Sequence, residues 1–221
     1  FSSGPAHALP EGDMKIRITV SPEEAKTRFY PFLISASHEG RKRADEVYSY
    51  LQGHLKQLFL EKFSHYQRLD KDYLSIQTPD ETLNRAFAWA KIAVDKALVC
   101  NPQLGCGLVA GYGLSGRSER PGFAWYFGGD AFFNAMAFNS CGTFDITRQA
   151  LAFIAKNQRQ DGKIMHELSQ GAAFIRWFEE YPYGFYHADT TPYYLVAMND
   201  YLNSSGDLEF IKENWLSIER A

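Results

Sequence analysis

Residues 14–20 read Met-Lys-Ile-Arg-Ile-Thr-Val, an apolar–polar alternation that predicts a half-buried β-strand. No neighbouring run reads as a partner, so the strand is expected to stand alone, the remnant of an N-terminal β-domain over residues 1–20. From Ser21 the period changes. Ser21-Pro22-Glu23-Glu24 is a capping box with proline at the first helical position, and it predicts a helix to about Ile34. A longer helix is predicted over residues 42–66, with Val47, Leu51, Leu55, Leu58 and Lys62 on one stripe and charge on the outer face. Thr78-Pro79-Asp80-Glu81 repeats the capping box. Leu83, Ala86, Phe87, Ala90, Val94 and Ala97 then recur at helical spacing up to about Cys100. Further helices are predicted over residues 130–139, from a cap at Asp145 to Asn157, from Pro192 to Ser205-Gly206, and from a cap at Asp207 through Ile218.

The connections alternate in length. Residues 140–145 and 203–207 are short turns, whereas 101–128 and 163–188 are long. Long connections in a compact domain are functional or disordered. These are rich in Gly, Phe, Trp and Tyr, a composition that argues against disorder. Helical hairpins with long loops on one side describe a mainly α fold, a partial (α/α)6 toroid holding about the first five barrel helices. Residues 21–77 would be linker helices before it, and residues 78–221 the N-terminal part of the barrel, cut near its middle.

Composition narrows the function. The 221 residues are 45% hydrophobic, which suffices for a sizeable core, and the net charge of −3 with scattered basic residues leaves no nucleic-acid footprint. No apolar run approaches the ~20 residues that span a bilayer, and no signal peptide is expected. The chain opens at Phe1 rather than Met, so an upstream portion is expected to have been removed. Cys100, Cys106 and Cys141 are too few and too irregular for a disulfide framework. They are expected as free buried thiols in a reducing, cytoplasmic setting, and the absence of a CxxC spacing speaks against zinc.

Gly111-Tyr112-Gly113-Leu114-Ser115-Gly116 matches GxGxxG, but the Arg117-Ser118-Glu119-Arg120-Pro121-Gly122 that follows cannot continue a helix. A dinucleotide site needs that helix, so these glycines are read as a tightly folded loop. The stretch from Phe123 to Asp130 sets Trp125, Tyr126 and Phe127 before Gly128-Gly129 and one carboxylate. Aromatic faces beside an acid suit a polyhydroxylated ring. Asp130 as a first-turn helix acid is the alternative. Asp161-Gly162-Lys163-Ile164-Met165-His166-Glu167 is either a solvated loop or a polar cluster in which His166 orients Glu167. His187-Ala188-Asp189-Thr190-Thr191-Pro192 puts an acid just before a helix, as a cap or as a ligand-facing group. Trp177, Tyr181, Tyr183, Phe185 and Tyr186 crowd the loop before it, divided between core packing and an aromatic wall. His166, Glu167, His187 and Asp189 are metal-ligand types, but no pair has the spacing of two ligands on one helix, so neither metal nor cofactor is expected.

Three of these segments, in order, resemble the six-hairpin (α/α)6-barrel glycosidases, in particular the glucosidase part of glycogen debranching enzymes (amylo-alpha-1,6-glucosidase-like). Pro121 to Asp130 resembles their "PWF-GxD" signature, Asp161 to Glu167 their "DGkipHE" loop, and Asp189-Thr190-Thr191 with Asp200-Tyr201-Leu202 and Ser205-Gly206-Asp207 their Asp-Ala/Thr-Thr and "DYL…TGD" runs. The chain departs from the family at Gly129, where arginine is usual. The resemblance implies a glycoside hydrolase that cleaves α-glucosidic, glycogen-like linkages, with α-1,6 among them. It implies substrate contacts from Trp125, Phe127, Asp130, Lys163, His166, Glu167 and Asp189. Hydrolysis needs an acid and a base flanking the bond. In such barrels both come from later hairpins, so the catalytic pair is expected beyond Ala221, with Glu167 or Asp189 as acid the lesser reading. The implied partner is an oligosaccharide or polysaccharide. Exposed helix faces of a half barrel would favour self-association or pairing with the missing half. The competing classes are a non-catalytic glycan- or protein-binding toroid fragment and a toroid lyase or epimerase. A lyase would need a basic groove, for which only Arg117, Arg120, Lys163 and Arg176 offer themselves.

Overall fold

A computed structural model describes residues 7–8, 14–15, 19–27, 29–113 and 122–221. The chain divides into two compact units, residues 1–61 and 62–221. In the first unit, β1 (His7–Ala8) pairs antiparallel with β2 (Met14–Lys15). The strand expected to stand alone therefore has a partner, and only its first two residues are regular; Thr19 and Val20 are not, and residues 16–18 fall outside the description. The Ser21 capping box forms as read, with the Ser21 amide on the Glu24 carboxylate at 3.1 Å and the Glu24 amide on Ser21 Oγ at 3.3 Å. Its helix, α1 (Glu24–Thr27), is one turn long and does not reach Ile34. Pro31 lacks the amide that continuation requires, and it disfavours helix at Tyr30.

Helix α2 (Arg41–Lys71) begins in the first unit and from Lys62 belongs to the second. Val47, Leu51, Leu55 and Leu58 of the stripe that the sequence periodicity marks are half-buried, whereas Lys62, its fifth member, is exposed. Helix α3 (Glu81–Asp95) is capped by Asp80, not Thr78: Asp80 Oδ1 accepts from the amides of Thr82 and Leu83 at 2.8 and 3.4 Å. Thr78 is bound instead to the Asn84 side chain. The helix stops five residues short of Cys100 because the chain turns into a hairpin, β3 (Leu98–Asn101) against β4 (Gly105–Leu108). Asn101 builds the turn, its Oδ1 accepting from the amides of Gln103 and Leu104 around Pro102. Cys100 and Cys106 face each other across the strands and form a disulfide. The reading of these two as free thiols is thereby corrected; Cys141 alone is free. Spacing gave no warning, since the pairing follows from the hairpin register.

After β5 (Tyr126–Phe127) come α4 (Gly128–Cys141) and α5 (Phe144–Lys156). Asp145 lies inside the first turn of α5 and does not cap it; Thr143 holds that position without a side-chain capping bond, its hydroxyl donating instead to the Phe138 carbonyl at 2.9 Å. The long connection that follows contains β6 (Glu167–Leu168), a 3-10 turn at Gln170–Ala173 and α6 (Trp177–Glu180). Helix α7 (Thr190–Ser205) ends on left-handed Gly206. Asp207 caps α8 (Leu208–Glu213) through the Phe210 amide at 3.0 Å, and α9 (Trp215–Arg220) follows, so the single last helix of the sequence reading is two. Helix dominates the described residues, and the class is mainly α.

The core of the second unit forms where α4, α5 and α7 pack on one another and on β4. Phe132 and Ala135 of α4, Leu151 and Ile154 of α5, and Tyr194, Ala197 and Met198 of α7 are nearly inaccessible. Gly107 lets β4 lie flat on α5, since a Cβ there would come within 2.7 Å of the Phe153 ring. Buried Tyr194 and Tyr201 keep their hydroxyls bonded to Ser217 and Asp207, and burial pushes both phenols up to about 12. Among the described residues no helix is long and apolar enough to cross a membrane.

The disulfide closes a short loop, so its contribution through the unfolded chain is modest, about 2 kcal/mol. Thiol titration of the native protein should find one reactive group, rising to three after reduction. Urea melts should place the reduced protein about 2 kcal/mol below the oxidised one. Three titratable thiols before reduction would show that the bond does not form.

Candidate functional site

Two segments some forty residues apart in sequence are joined by their backbones. β5 pairs antiparallel with β6, so that Phe127 faces Glu167, and the Gly128 amide donates to the His166 carbonyl at 2.8 Å. The amide of His166 in turn donates to Gly184 O at 2.7 Å. Helix α4 starts directly on this seam. Gly128 permits it: a Cβ there would lie 2.3 Å from the Met165 carbonyl oxygen. Gly129, where the resembling family carries arginine, has open space around it, with nothing within 4 Å of an added Cβ. The first turn of α4 then carries Asp130 to the same place as His166 and Glu167.

The result is a cavity of about 320 Å³ lined by Gly122, Phe123, Trp125, Phe127, Asp130, His166 and Glu167. Its volume lies at the small end of ligand pockets, about 300–1,000 Å³. Five of the seven side chains expected at a ligand line it. Lys163 and Asp189 do not. The Lys163 ammonium donates to the His187 carbonyl, holding the loop ahead of α7. Asp189 precedes α7 without capping it, and its carboxylate lies 3.5 Å from His187 Nδ1.

The lining groups differ in their engagement. Glu167 is 1% exposed; Oε1 accepts from the Tyr181 hydroxyl at 2.5 Å, and its carbonyl accepts from Trp177 Nε1 at 3.0 Å. Both aromatics also contact Trp125, edge-on, with centroids at 5.1 Å for Trp177 and 6.4 Å for Tyr181. Asp130 is exposed, and among the described residues its carboxylate makes no hydrogen bond or ion pair. A first-turn acid in that state is favoured by the helix dipole yet free to accept from a ligand. His166 packs its edge against Phe127 and stacks face to face on His187, centroids 3.7 Å apart and planes 4° from parallel. Burial first, and then the neighbouring His187, holds the His166 imidazole below its ordinary value, against the opposing pull of Glu167, Asp189 and Asp130. It is therefore neutral at pH 7, one nitrogen donating and one accepting.

At the loop's other end, Asp161 is bound by Arg159 through two bonds of 2.8 and 2.7 Å, which hold its carboxyl at about 2. It fixes the turn at left-handed Gly162 and stays out of the cavity. Gly122 and Phe123 line the cavity without having been expected there, and His187 and Tyr181, read from sequence only as a metal-ligand type and as a wall residue, support His166 and Glu167. His187 is placed by the loop that Lys163 anchors, and Tyr181 by the short helix α6, and neither element has a periodic signal. Among the described residues no group of three or more His, Cys, Asp or Glu is placed to hold a metal. Arg117 and Arg120 lie outside the described residues. No protein-family model, curated protein or solved structure matches the chain.

Two outcomes follow from this geometry. Gly128→Ala should cost about 1–3 kcal/mol of stability, since backbone must shift to admit the methyl group, whereas Gly129→Ala should stabilise by up to about 1 kcal/mol; paired urea melts compare them directly. His166 has a folded-state value below its unfolded 6.5, so the unfolded chain binds more protons in that interval and acid favours unfolding. Stability should accordingly fall as pH drops below 6.5 toward the lowered value, and His166→Phe should flatten that part of the profile.

Proposed function

We propose that this chain forms the substrate-holding part of a glycoside hydrolase-type protein of the (α/α)6 kind, acting on α-glucosidic, glycogen-like linkages. The observation that carries the reading is the meeting of Trp125, Phe127, Asp130, His166 and Glu167 around one cavity. A flat aromatic face takes the C–H side of a pyranose, while a carboxylate with unused acceptor capacity and a neutral imidazole take its hydroxyls. Two of the three sequence segments that resemble the glycosidases, Pro121 to Asp130 and Asp161 to Glu167, supply these residues. A partial α/α toroid is the architecture we infer for the second unit, with α4, α5 and α7 among its helices.

Catalysis is a separate matter from binding. Asp189 lies off the cavity, and Glu167 is nearly inaccessible and bound to Tyr181, so neither is assigned as the acid. We infer that the chain on its own binds a glucoside without hydrolysing it, the non-catalytic reading being favoured for this polypeptide. The Cys100–Cys106 bond favours an oxidising compartment over the cytoplasm. The exposed Phe133 and Val196, on α4 and α7, are the surface we assign to self-association or to another part of the same protein.

Calorimetric titration with methyl α-D-glucopyranoside tests the pocket. Binding should be measurable, and Asp130→Asn should weaken it about tenfold, the equivalent of 1.4 kcal/mol. Urea melts should fall by no more than about 1 kcal/mol for that variant, the loss of its charge at the helix N-terminus, because Asp130 makes no hydrogen bond or ion pair among the described residues. A wild-type affinity in Asp130→Asn would remove the carboxylate from the site. Release of glucose from maltooligosaccharides by the chain alone would overturn the assignment of binding without catalysis.

A further inference from the structure

The aromatic side chains around the cavity form a closed circuit of ring contacts. It runs from Phe127 through Trp125 (6.5 Å), Tyr181 (6.4 Å), Tyr183 (5.5 Å), Tyr186 (5.7 Å), His187 (6.2 Å) and His166 (3.7 Å) back to Phe127 (5.5 Å). The members divide sharply by exposure. Phe127 is 8% exposed, whereas Tyr183 is 48% and Tyr186 73% exposed. Tyr181 is committed to Glu167, and Trp177, outside the circuit, also holds Glu167. The hydroxyls of Tyr183 and Tyr186 make no hydrogen bond among the described residues. The packing that explains the other aromatics of this loop does not explain these two.

The loop that bears them is held in place. Gly184 O accepts from the amides of His166 and Glu167, and the Tyr186 amide donates to Tyr183 O at 3.1 Å. Phe185, between them, is clamped by the Phe178 ring at 4.5 Å and by the Arg159 guanidinium at 4.9 Å. A Cβ on Gly184 would meet Phe178 at 2.8 Å, so the backbone there is pressed against its support. Two large rings are thus presented to water from a fastened backbone, each two ring contacts from a cavity residue: Tyr186 from His166 through His187, and Tyr183 from Trp125 through Tyr181. They lie edge to face, 79° apart, with both polar tips available.

We propose that Tyr183 and Tyr186 form an outer subsite that receives the second and following sugars of a neutral glucan whose end residue occupies the cavity. This rests on the sugar-binding reading of the cavity and specifies the ligand as a chain rather than a single ring. Of the two routes round the circuit, the one through Tyr181 is half-buried and bonded to Glu167, whereas His187 is exposed, so the chain leaves across His187 toward Tyr186. Charge selects a neutral glycan over a uronate. Among the described residues the nearby cations are already engaged: Lys163 on the His187 carbonyl, Arg159 on Asp161 and Arg176 on Glu179. The exposed acids Asp130, Asp189 and Glu180 would repel a polyanion.

The test compares methyl α-D-glucopyranoside, maltotetraose and tetragalacturonate by calorimetry on the full 221-residue chain. Maltotetraose should bind about tenfold tighter than the monosaccharide, the gain expected from one or two added aromatic contacts. Tyr186→Ala and Tyr183→Ala should each erase most of that gain and leave monosaccharide affinity within about twofold of wild type. Unchanged monosaccharide affinity also shows that each variant keeps its fold, and Tyr186→Phe should retain most of the gain. Equal affinity for monosaccharide and tetrasaccharide, or a gain indifferent to both alanine variants, overturns the outer subsite and leaves the cavity reading standing. Tighter binding of the uronate overturns the choice of a neutral chain. Failure of the monosaccharide to bind removes the cavity reading and the subsite with it.

Discussion

The short backbone seam between residues 126–128 and 166–168 organises the candidate site of the second unit. It sets Phe127 opposite Glu167, and it ties the start of α4 to His166 through the Gly128 amide. Side chains alone would position these groups loosely, since each comes from a long connection. Backbone hydrogen bonds set the register, and a strand pairing one residue out of step would turn Glu167 to the opposite face. The same constraint accounts for the glycine pair. Gly128 is required by the Met165 carbonyl against which it rests; Gly129 is not required by any contact. A carboxylate buried as deeply as Glu167 is costly unless it is bonded, and the Tyr181 hydroxyl supplies one of its bonds.

Helix α7 is fastened to the same seam by hydroxyl groups rather than by a cap. Thr190 Oγ1 donates to the Ile164 carbonyl at 3.1 Å, and the Ile164 amide donates to Thr191 Oγ1 at 3.1 Å. The Asp-Thr-Thr run that reads as a helix cap is thus a splice between α7 and the irregular segment that leads to His166. This explains why Asp189 is left to pair with His187 outside the cavity. The acid marks the helix start, while the threonines do the joining.

Helix positions were largely legible. The stripe of α2, the Gly206 stop and the Asp207 cap come from local chemistry that acts within a few residues. The strands were not. β3 and β4 are four residues each, and β5 and β6 two each, too short for a period to declare itself. The disulfide was hidden with them, although Asn101-Pro102 is a turn signal that could have raised a hairpin. The site was legible as a set of aromatic and acidic residues on two loops. It was not legible as a division of labour, because exposure depends on how the loops are pinned. Lys163 reads as a ligand contact in sequence and acts as a backbone clamp in the structure; Tyr181 reads as one of several wall residues and is the group bonded to Glu167.

The disulfide hairpin belongs to the site as well as to the scaffold. Asn101, which shapes its turn, donates through Nδ2 to the Gln170 carbonyl at 3.3 Å, and Gln170 Nε2 donates to the Ala124 carbonyl at 2.9 Å. Ala124 immediately precedes Trp125. Tyr126 adds a second link, its ring 4.5 Å from Phe153 under β4 and its hydroxyl 3.4 Å from the Val99 carbonyl. The aromatic floor of the cavity is therefore supported from below by the hairpin and from the side by the α6 loop. The two supports meet at Trp125, which contacts Trp177 and Tyr181 on one side and follows the Gln170 bond on the other. A half-buried tryptophan held in this way has little further freedom to lose on binding, the property that the proposed sugar-stacking role needs.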